Sequence, residues 1–260
     1  VQITHSGGRA VEMLLKRGFV ERSVRATVAL LALTPLVTYA LWVSDGCDPL
    51  MPFISDMDLP NRSGFTFTIG YAISGIMLAL TGLQLGLLRD RWMSAAEIPR
   101  NWVNLNLFAM LAAIAAGVSL FWISFTPWDE HLELHIFQAN VIFFGSVIWA
   151  SCVTLATWRM SFEEPEFSRV LTPRAAFTVL GLVGLVGMVE RVYRFTGLST
   201  DLYALEERLQ MLDQGCVTLN ESLLSQAAAF EWLLAASMVL VVVSFLPEVR
   251  LLTMDATEEE

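Results

Sequence analysis

Six apolar stretches, each about 20 residues long and separated by polar segments, constrain this chain more than any other feature. A helix that rises about 1.5 Å per residue needs about 20 such residues to cross a hydrocarbon layer about 30 Å thick. Because lipid offers the backbone no hydrogen-bond partners, a stretch that crosses it must be helical. The sequence therefore predicts an all-α polytopic membrane protein, a single bundle of six transmembrane helices. The predicted spans are Val24 to Val43, Phe65 to Leu88, Trp102 to Ser124, Leu134 to Trp158, Ala175 to Phe195 and Ala227 to Leu246.

The polar segments between the spans are too short to form domains of their own. The longest, Gly197 to Gln226, has about 30 residues, whereas a domain usually needs about 50 or more. With 55% hydrophobic and only 16% charged residues, the chain also has more apolar side chains than a soluble protein of 260 residues could bury. We therefore expect one transmembrane domain at 24–246, between a cytosolic N-terminal segment at 1–23 and an acidic cytosolic tail at 247–260.

The positive charges predict how the spans are oriented. If successive spans alternate in direction, twelve of the 16 Lys and Arg residues fall on one side, and the positive-inside rule makes that side cytosolic. Both termini are then cytosolic, and the acidic loops face the outer side. A net charge of −10 without a basic patch argues against nucleic acid as a partner. The twelve cations are Arg9, Lys16, Arg17, Arg22, Arg25, Arg89, Arg91, Arg100, Arg159, Arg169, Arg174 and Arg250.

Two cysteines and two glycosylation sequons fall on the predicted outer side. Cys47 in the first outer loop and Cys216 in the third share a compartment, so they can form a disulfide if that compartment is oxidising. The alternative is two unpaired thiols. The sequons begin at Asn61 and Asn220. Both lie within a few residues of a predicted span, which is too close to the bilayer for efficient modification, so they are weak signals.

Small residues mark the fifth predicted span. Gly181, Gly184 and Gly187 recur at a spacing of three. Small residues allow transmembrane helices to approach each other closely. We interpret this stripe as a packing face inside the bundle rather than as a dimerisation surface.

Six ionisable residues lie within or beside the outer ends of three spans. A charge inside a membrane is costly and is retained mostly where it is paired or functional. The simplest alternative is that the longer side chains extend to the headgroup layer. Convergence at one depth instead favours a polar pocket under the outer leaflet, with membrane lipids as its partners. The six residues are His131, His135, Glu190, Arg191, Arg194 and Glu231.

The same residues offer little support for metal binding or catalysis. His131 and His135 have the helical spacing of zinc ligands, but the only other histidine, His5, is predicted on the cytosolic side. We therefore expect no metal and no cofactor, and no catalytic residue is assigned. We also expect no acid or base in the middle or cytosolic half of any span, which argues against an ion pathway.

Two motifs resemble those of a known membrane family. Pro52-Phe53-Ile54-Ser55-Asp56 in the first outer loop resembles the P-x-I-S signature of the DRAM family, the damage-regulated autophagy modulators and the FGF-receptor-activating protein group. Phe230-Glu231-Trp232 in the sixth span resembles the acidic-aromatic pair of that family. The resemblance runs over about residues 24 to 250 and implies six spans with cytosolic ends. The motif residues are Pro52, Ile54, Ser55, Asp56, Glu231 and Trp232.

Within that family, the chain looks most similar to the branch that remodels the lipids of GPI anchors in the Golgi. His135 to Met160 and Val192-Tyr193-Arg194 carry this similarity. Two features depart from the family pattern. Asp56-Met57-Asp58 replaces the usual sequence after Ile-Ser, and the third outer loop has an acidic insert, predicted to be helical, around Tyr203 to Leu212.

The resemblance implies an endomembrane protein of the Golgi or ER that takes part in fatty-acid remodelling of GPI anchors, without a catalytic activity assigned to it alone. Two alternatives stay open. One is a non-catalytic regulator of autophagy or of membrane lipid distribution, in a lysosomal or plasma membrane. The other is a structural accessory subunit of a larger membrane complex in an organelle, in which case other membrane proteins are partners as well as lipids.

Overall fold

The six long helices of the computed structural model account for most of the chain. The structure describes residues 12–196, 212–213, 215–219 and 221–253. Within that part, six helices are long and apolar enough to cross a membrane, which confirms the predicted all-α membrane fold. They are α1 (Arg17–Ser44), α2 (Asn61–Ala95), α3 (Arg100–Ile123), α4 (Leu132–Met160), α5 (Phe167–Phe195) and α6 (Ser222–Val243), and a short helix, α7 (Phe245–Leu251), follows α6.

The helices pack as a closed ring. Each helix contacts the next along the chain, and α6 contacts α1 to complete the ring. We call the end that holds the start of α1 and of α7 the basic end, and the end that holds the α1–α2 and α5–α6 connections the acidic end. These names follow the charges of the sequence, with the basic end predicted to be cytosolic.

Glycines bring α5 and α6 into close contact. A Cβ added to Gly184 would lie 2.8 Å from the Leu234 backbone nitrogen, and one added to Gly187 would lie 2.5 Å from the Phe230 ring. Any larger side chain would therefore push the two helices apart. This confirms the interpretation of the glycine stripe as a packing face within the bundle.

A disulfide joins the two connections at the acidic end. A 3-10 turn, Ile54–Asp58, lies between α1 and α2, and two-residue strands β1 (Leu212–Asp213) and β2 (Cys216–Val217) form an antiparallel pair before α6. Cys47 and Cys216 are joined by a disulfide, as the sequence predicted, with their Cα atoms 5.3 Å apart. Of the predicted acidic insert at Tyr203 to Leu212, only Leu212 is among the described residues, and it belongs to β1 rather than to a helix.

The basic end contains a buried ionic cluster. Arg89 of α2 and Arg174 of α5 both pair with Glu248 of α7, and all three side chains are at most 1% exposed. Arg89 Nε also donates to Asn106 Oδ1 at 3.2 Å, and Thr157 Oγ1 accepts from Nη1 of both arginines at 3.1 and 2.6 Å. We call these residues the basic-end cluster.

This cluster corrects one prediction made from the sequence. The expectation that no acid or base lies in the cytosolic half of any span was wrong, because Arg89 and Arg174 lie inside α2 and α5. These helices continue beyond the apolar stretches, so both residues are within the bundle rather than in loops. Glu248 and Val249 are also fully buried, so the packed part of the chain extends past Leu246.

Candidate functional site

A cavity of about 130 Å³ lies inside the ring. Residues of α1, of the 3-10 turn and of α2, α3, α4 and α6 line it, and among the described residues none from α5 does. Its lining is mostly apolar, with side chains such as Leu78, Met238 and Val242. The polar lining residues are Ser55, Tyr71, His135, Ser146 and Glu231.

The cavity is elongated along the bundle and polar mainly toward the acidic end. On α4 its lining runs from His135 to Trp149, and on α6 from Glu231 to Val242. At about 1.5 Å per residue these stretches span roughly 16–21 Å, more than half of a hydrocarbon layer about 30 Å thick. The cavity therefore has the shape and polarity of a site for an amphiphile, with a polar group at one end and an apolar chain along the rest.

Glu231 holds the first acidic-end connection against α6. The backbone N–H of Ile54 donates to Glu231 Oε2 at 2.7 Å, and the neighbouring Trp232 Nε1 donates to the carbonyl of Pro52 at 2.8 Å. The two motifs that carry the family resemblance are far apart in the sequence, and the structure joins them directly. Glu231 lies more than two turns into α6, deeper than the apolar stretch suggested, and is 5% exposed.

Asp56 shapes the turn that meets Glu231. Its carboxylate oxygen Oδ2 accepts from the backbone N–H of Phe53 at 3.0 Å, and the residue is fully buried. This bond fixes the backbone immediately before Ile54 and Ser55. Because Ser55 lines the cavity, Asp56 acts on the site by positioning the turn.

His135 is held by the connection between α3 and α4. Its Nδ1 lies 2.7 Å from the carbonyl oxygen of Thr126, which can only accept, so Nδ1 carries the hydrogen. In the neutral ring Nε2 is then a hydrogen-bond acceptor. Thr126 Oγ1 donates in turn to Gln138 Oε1 at 2.6 Å, which fixes the loop that orients the imidazole.

Asp58 ends the 3-10 turn, outside the membrane-spanning helices. Burial, and to a lesser extent the negative charge of Asp129, raise the pKa of its carboxyl from 3.8 to about 7. The acidic end therefore contains a carboxyl group that changes charge near neutral pH. Asp129 belongs to the same α3–α4 connection that holds His135.

Of the six predicted pocket residues, the structure brings His135 and Glu231 to the cavity. His131 is exposed and precedes the first turn of α4, so it does not share a helix face with His135. Glu190 pairs with Arg191 and Arg194 at the acidic end of α5, away from the cavity lining. Among the described residues, no group of three or more His, Cys, Asp or Glu side chains could hold a metal ion.

The remaining predicted residues are placed as follows. Pro52, Ile54, Ser55 and Asp56 belong to the connection against α6, and Trp232 follows Glu231 in that helix. Asn61 is the first residue of α2, and Asn220 lies outside the described residues.

Sequence reasoning missed Tyr71 and Ser146 in the cavity wall and the whole basic-end cluster. In the sequence, Tyr71 and Ser146 do not differ visibly from the other residues of their apolar spans. Only the packing of the helices in a ring shows that they line the cavity. For the cluster a signal existed in Asn106 and Thr157, because two polar side chains inside spans at that depth require partners.

Comparison with known proteins gives a match over most of the chain. The family model of the Frag1/DRAM/Sfk1/Cwh43P N-terminal domain matches residues 23–251. No curated protein and no solved structure matches the chain. The matched range runs from near the start of α1 to the end of α7, so it includes both the cavity and the basic-end cluster. The chain therefore belongs to the Frag1/DRAM/Sfk1/Cwh43P family.

Proposed function

We propose that this protein binds a membrane lipid in its central cavity and takes part in fatty-acid remodelling of GPI anchors in the Golgi or ER membrane. The observation that carries the proposal is the cavity itself. It combines an apolar channel, about as long as half a bilayer, with His135 and Glu231 toward its acidic end.

Family membership and the disulfide support this proposal at a coarser level. The chain belongs to the matched family and has six helices long and apolar enough to cross a membrane. The Cys47–Cys216 bond agrees with an acidic end that faces an oxidising lumen. In this proposal the protein binds and presents the lipid. The similarity of His135 to Met160 to the branch that remodels GPI anchors is the reason to assign that lipid to GPI anchors.

The test measures the lipid composition of a GPI-anchored reporter by mass spectrometry. Cells that lack this protein receive the wild type, Glu231→Gln or Ala139→Trp. Ala139 lines the cavity, so the large ring occupies the volume that the lipid chain needs. We expect both variants to leave the reporter with the acyl chains seen in cells without the protein, at normal expression and with an intact disulfide.

Glu133→Gln is the matched control. Glu133 is exposed in the first turn of α4, so the same change of charge is made at the same end of the bundle without touching the cavity. It should restore the wild-type lipid composition. Normal remodelling in the Ala139→Trp cells would contradict the proposal. Loss of a membrane complex with unchanged reporter lipids would instead favour a structural subunit.

A further inference from the structure

We infer that the Tyr71 hydroxyl donates a hydrogen bond to the carbonyl oxygen of a bound acyl chain, so that the cavity selects lipids whose chains are attached through a carbonyl group. This inference rests on the proposed function, because it requires that a lipid occupies the cavity. It adds the chemical group that is recognised and the residue that recognises it. The carbonyl belongs to an ester or to an amide, and the experiment distinguishes the two.

Tyr71 is held in place by its neighbours in the cavity wall. The residue is 6% exposed, and its ring packs against the ring of Phe67, which also lines the cavity, with the ring centres 4.6 Å apart. A buried ring in a closely packed wall has little freedom to turn. The position of its hydroxyl is therefore set before a ligand binds.

The hydroxyl of Tyr71 makes no hydrogen bond to any residue that the structure describes. Buried tyrosine hydroxyls usually have a partner, because an unbonded polar group in apolar surroundings costs free energy. The Tyr71 oxygen is also not among the described side-chain oxygens that are both fully enclosed and unbonded. It must therefore border open volume, which for a residue of the cavity wall is the cavity.

The depth of Tyr71 matches that of the carbonyl groups of membrane lipids. The 35 residues of α2 are about 52 Å long, so α2 centred on a hydrocarbon layer about 30 Å thick extends about 11 Å beyond each side. Tyr71 lies ten residues, about 15 Å, after Asn61 at the start of α2, and thus about 4 Å inside the boundary of the layer. Acyl chains are attached near this boundary, where the apolar chain meets the polar headgroup.

Ser146 is a second hydroxyl of the cavity wall, but it lies too deep for the same role. It is 8% exposed and also makes no hydrogen bond to a described residue. It lies 14 residues, about 21 Å, after Leu132 at the start of α4, a helix of 29 residues. The same calculation places Ser146 about 14 Å inside the boundary, near the middle of the layer.

A carbonyl fits the Tyr71 hydroxyl better than the other parts of a lipid chain do. A carbonyl oxygen accepts hydrogen bonds and carries no charge, so an apolar wall can enclose it once it is bonded. An ether oxygen is a weaker acceptor, and a hydrocarbon chain accepts no hydrogen bond. The charge of Glu231 also acts on Tyr71, so the alternative is an internal bond from the hydroxyl to that carboxylate.

The experiment compares three photoactivatable phosphatidylinositols, the lipid class of GPI anchors, whose chains are attached through an ester, an amide or an ether. The full-length protein is reconstituted in vesicles of diether phosphatidylcholine, whose chains have no carbonyl that could compete. After illumination, mass spectrometry measures the label on cavity residues. One hydrogen bond changes affinity by about two- to tenfold, so we expect a carbonyl probe to label about threefold or more above the ether. The stronger of the two carbonyl probes identifies the source of the carbonyl.

Three variants identify the group that causes the preference. Tyr71→Phe removes the hydroxyl and keeps the ring that packs against Phe67, so it should abolish the preference. Its unfolding temperature without a probe should be unchanged, because no internal bond is lost. Ser146→Ala removes the deeper hydroxyl and should keep the ratio between the probes. Tyr193→Phe is the matched control, because it removes a hydroxyl from an exposed position on α5.

The outcomes separate this inference from the proposed function. If no probe labels the cavity, the proposed function fails and the inference fails with it. Equal labelling by the ether and the carbonyl probes overturns the inference alone, because a lipid still occupies the site. A preference that persists in Tyr71→Phe, or disappears in Ser146→Ala, also overturns it, since another group then binds the carbonyl. A lower unfolding temperature of Tyr71→Phe overturns it in favour of the internal bond to Glu231.

Discussion

Each end of the bundle contains a buried glutamate, and the surroundings of the two glutamates differ. At the basic end Glu248 lies between Arg89 and Arg174, and hydroxyl, amide and carbonyl oxygens accept hydrogen bonds from other N–H groups of the two guanidinium groups. At the acidic end Glu231 accepts a backbone N–H and also faces an open volume. The first glutamate is surrounded by fixed partners that join three helices, whereas the second is placed where a ligand can reach it.

The two regions are connected through a stack of side chains. The Arg174 guanidinium lies over the Phe245 ring, 4.0 Å from its centre, and Phe245 stacks on Trp149 with the ring centres 5.5 Å apart. Trp149 lines the cavity. The basic-end cluster therefore supports the apolar end of the same cavity whose polar end contains Glu231.

The largest effect is expected from Glu248→Gln. The change leaves two buried arginines without a counter-charge, and breaking a buried ion pair on one side costs about 3–5 kcal/mol. Thermal unfolding in detergent should show a large drop or no folded protein. Arg250→Ala is the control, because Arg250 is exposed and makes only a 3.6 Å pair with Glu21. A fully stable Glu248→Gln protein would show that the cluster does not hold the helices.

Cys47→Ser should cost less, about 2–4 kcal/mol, because the disulfide restricts the unfolded chain over a sequence separation of 169 residues. Thermal unfolding without reductant measures the change. Cys152→Ala is the comparison, since Cys152 is buried and unbridged. Reductant should lower the stability of the wild type and of Cys152→Ala but leave Cys47→Ser unchanged. Equal sensitivity of all three proteins would contradict a stabilising role for the bond.

Glu231→Gln should change stability less than Glu248→Gln does, because Gln keeps the acceptor for the Ile54 N–H, whereas Glu248→Gln removes the counter-charge of two buried arginines. The same substitution at two buried glutamates thus gives a larger and a smaller effect on unfolding. The comparison fails if both variants lose stability equally. In that case Glu231 would be a structural residue like Glu248.

The last prediction concerns a pH dependence of stability at Asp58 rather than a fixed loss. Its pKa is about 7 in the folded protein and 3.8 without the burial, so the folded state holds a proton that the unfolded state has released between these values. Stability should therefore fall as pH rises from about 4 to 7 and level off above that range. Asp58→Asn should remove this slope in thermal unfolding measured from pH 5 to 8. An unchanged slope in Asp58→Asn would assign it to another group, and Glu130→Gln, at an exposed position, controls for surface charge.

Hydropathy predicted the six spans because each apolar stretch is long enough to cross a bilayer on its own. Hydropathy did not predict where the helices end. An α-helix can continue past its apolar stretch into charged residues when side chains on other helices pair with those charges. Arg89 shows why: its partner Glu248 is 159 residues away, and nothing local distinguishes it from a loop arginine. His135 and Glu231 could be predicted from the sequence, because each is an ionisable residue within an apolar stretch. Arg191 and Arg194 gave a similar signal, but their local partner Glu190 satisfies them at the surface.

The disulfide also bears on how a lipid could reach the cavity. Cys47 lies shortly after the end of α1 at Ser44, and Cys216 lies shortly before α6; the contact of these two helices closes the ring. A covalent bond at that seam keeps the first and last helices from parting at the acidic end. The other helix pairs have no such bond among the described residues. A lipid that enters sideways from the bilayer at the acidic end would therefore pass between helices other than α1 and α6.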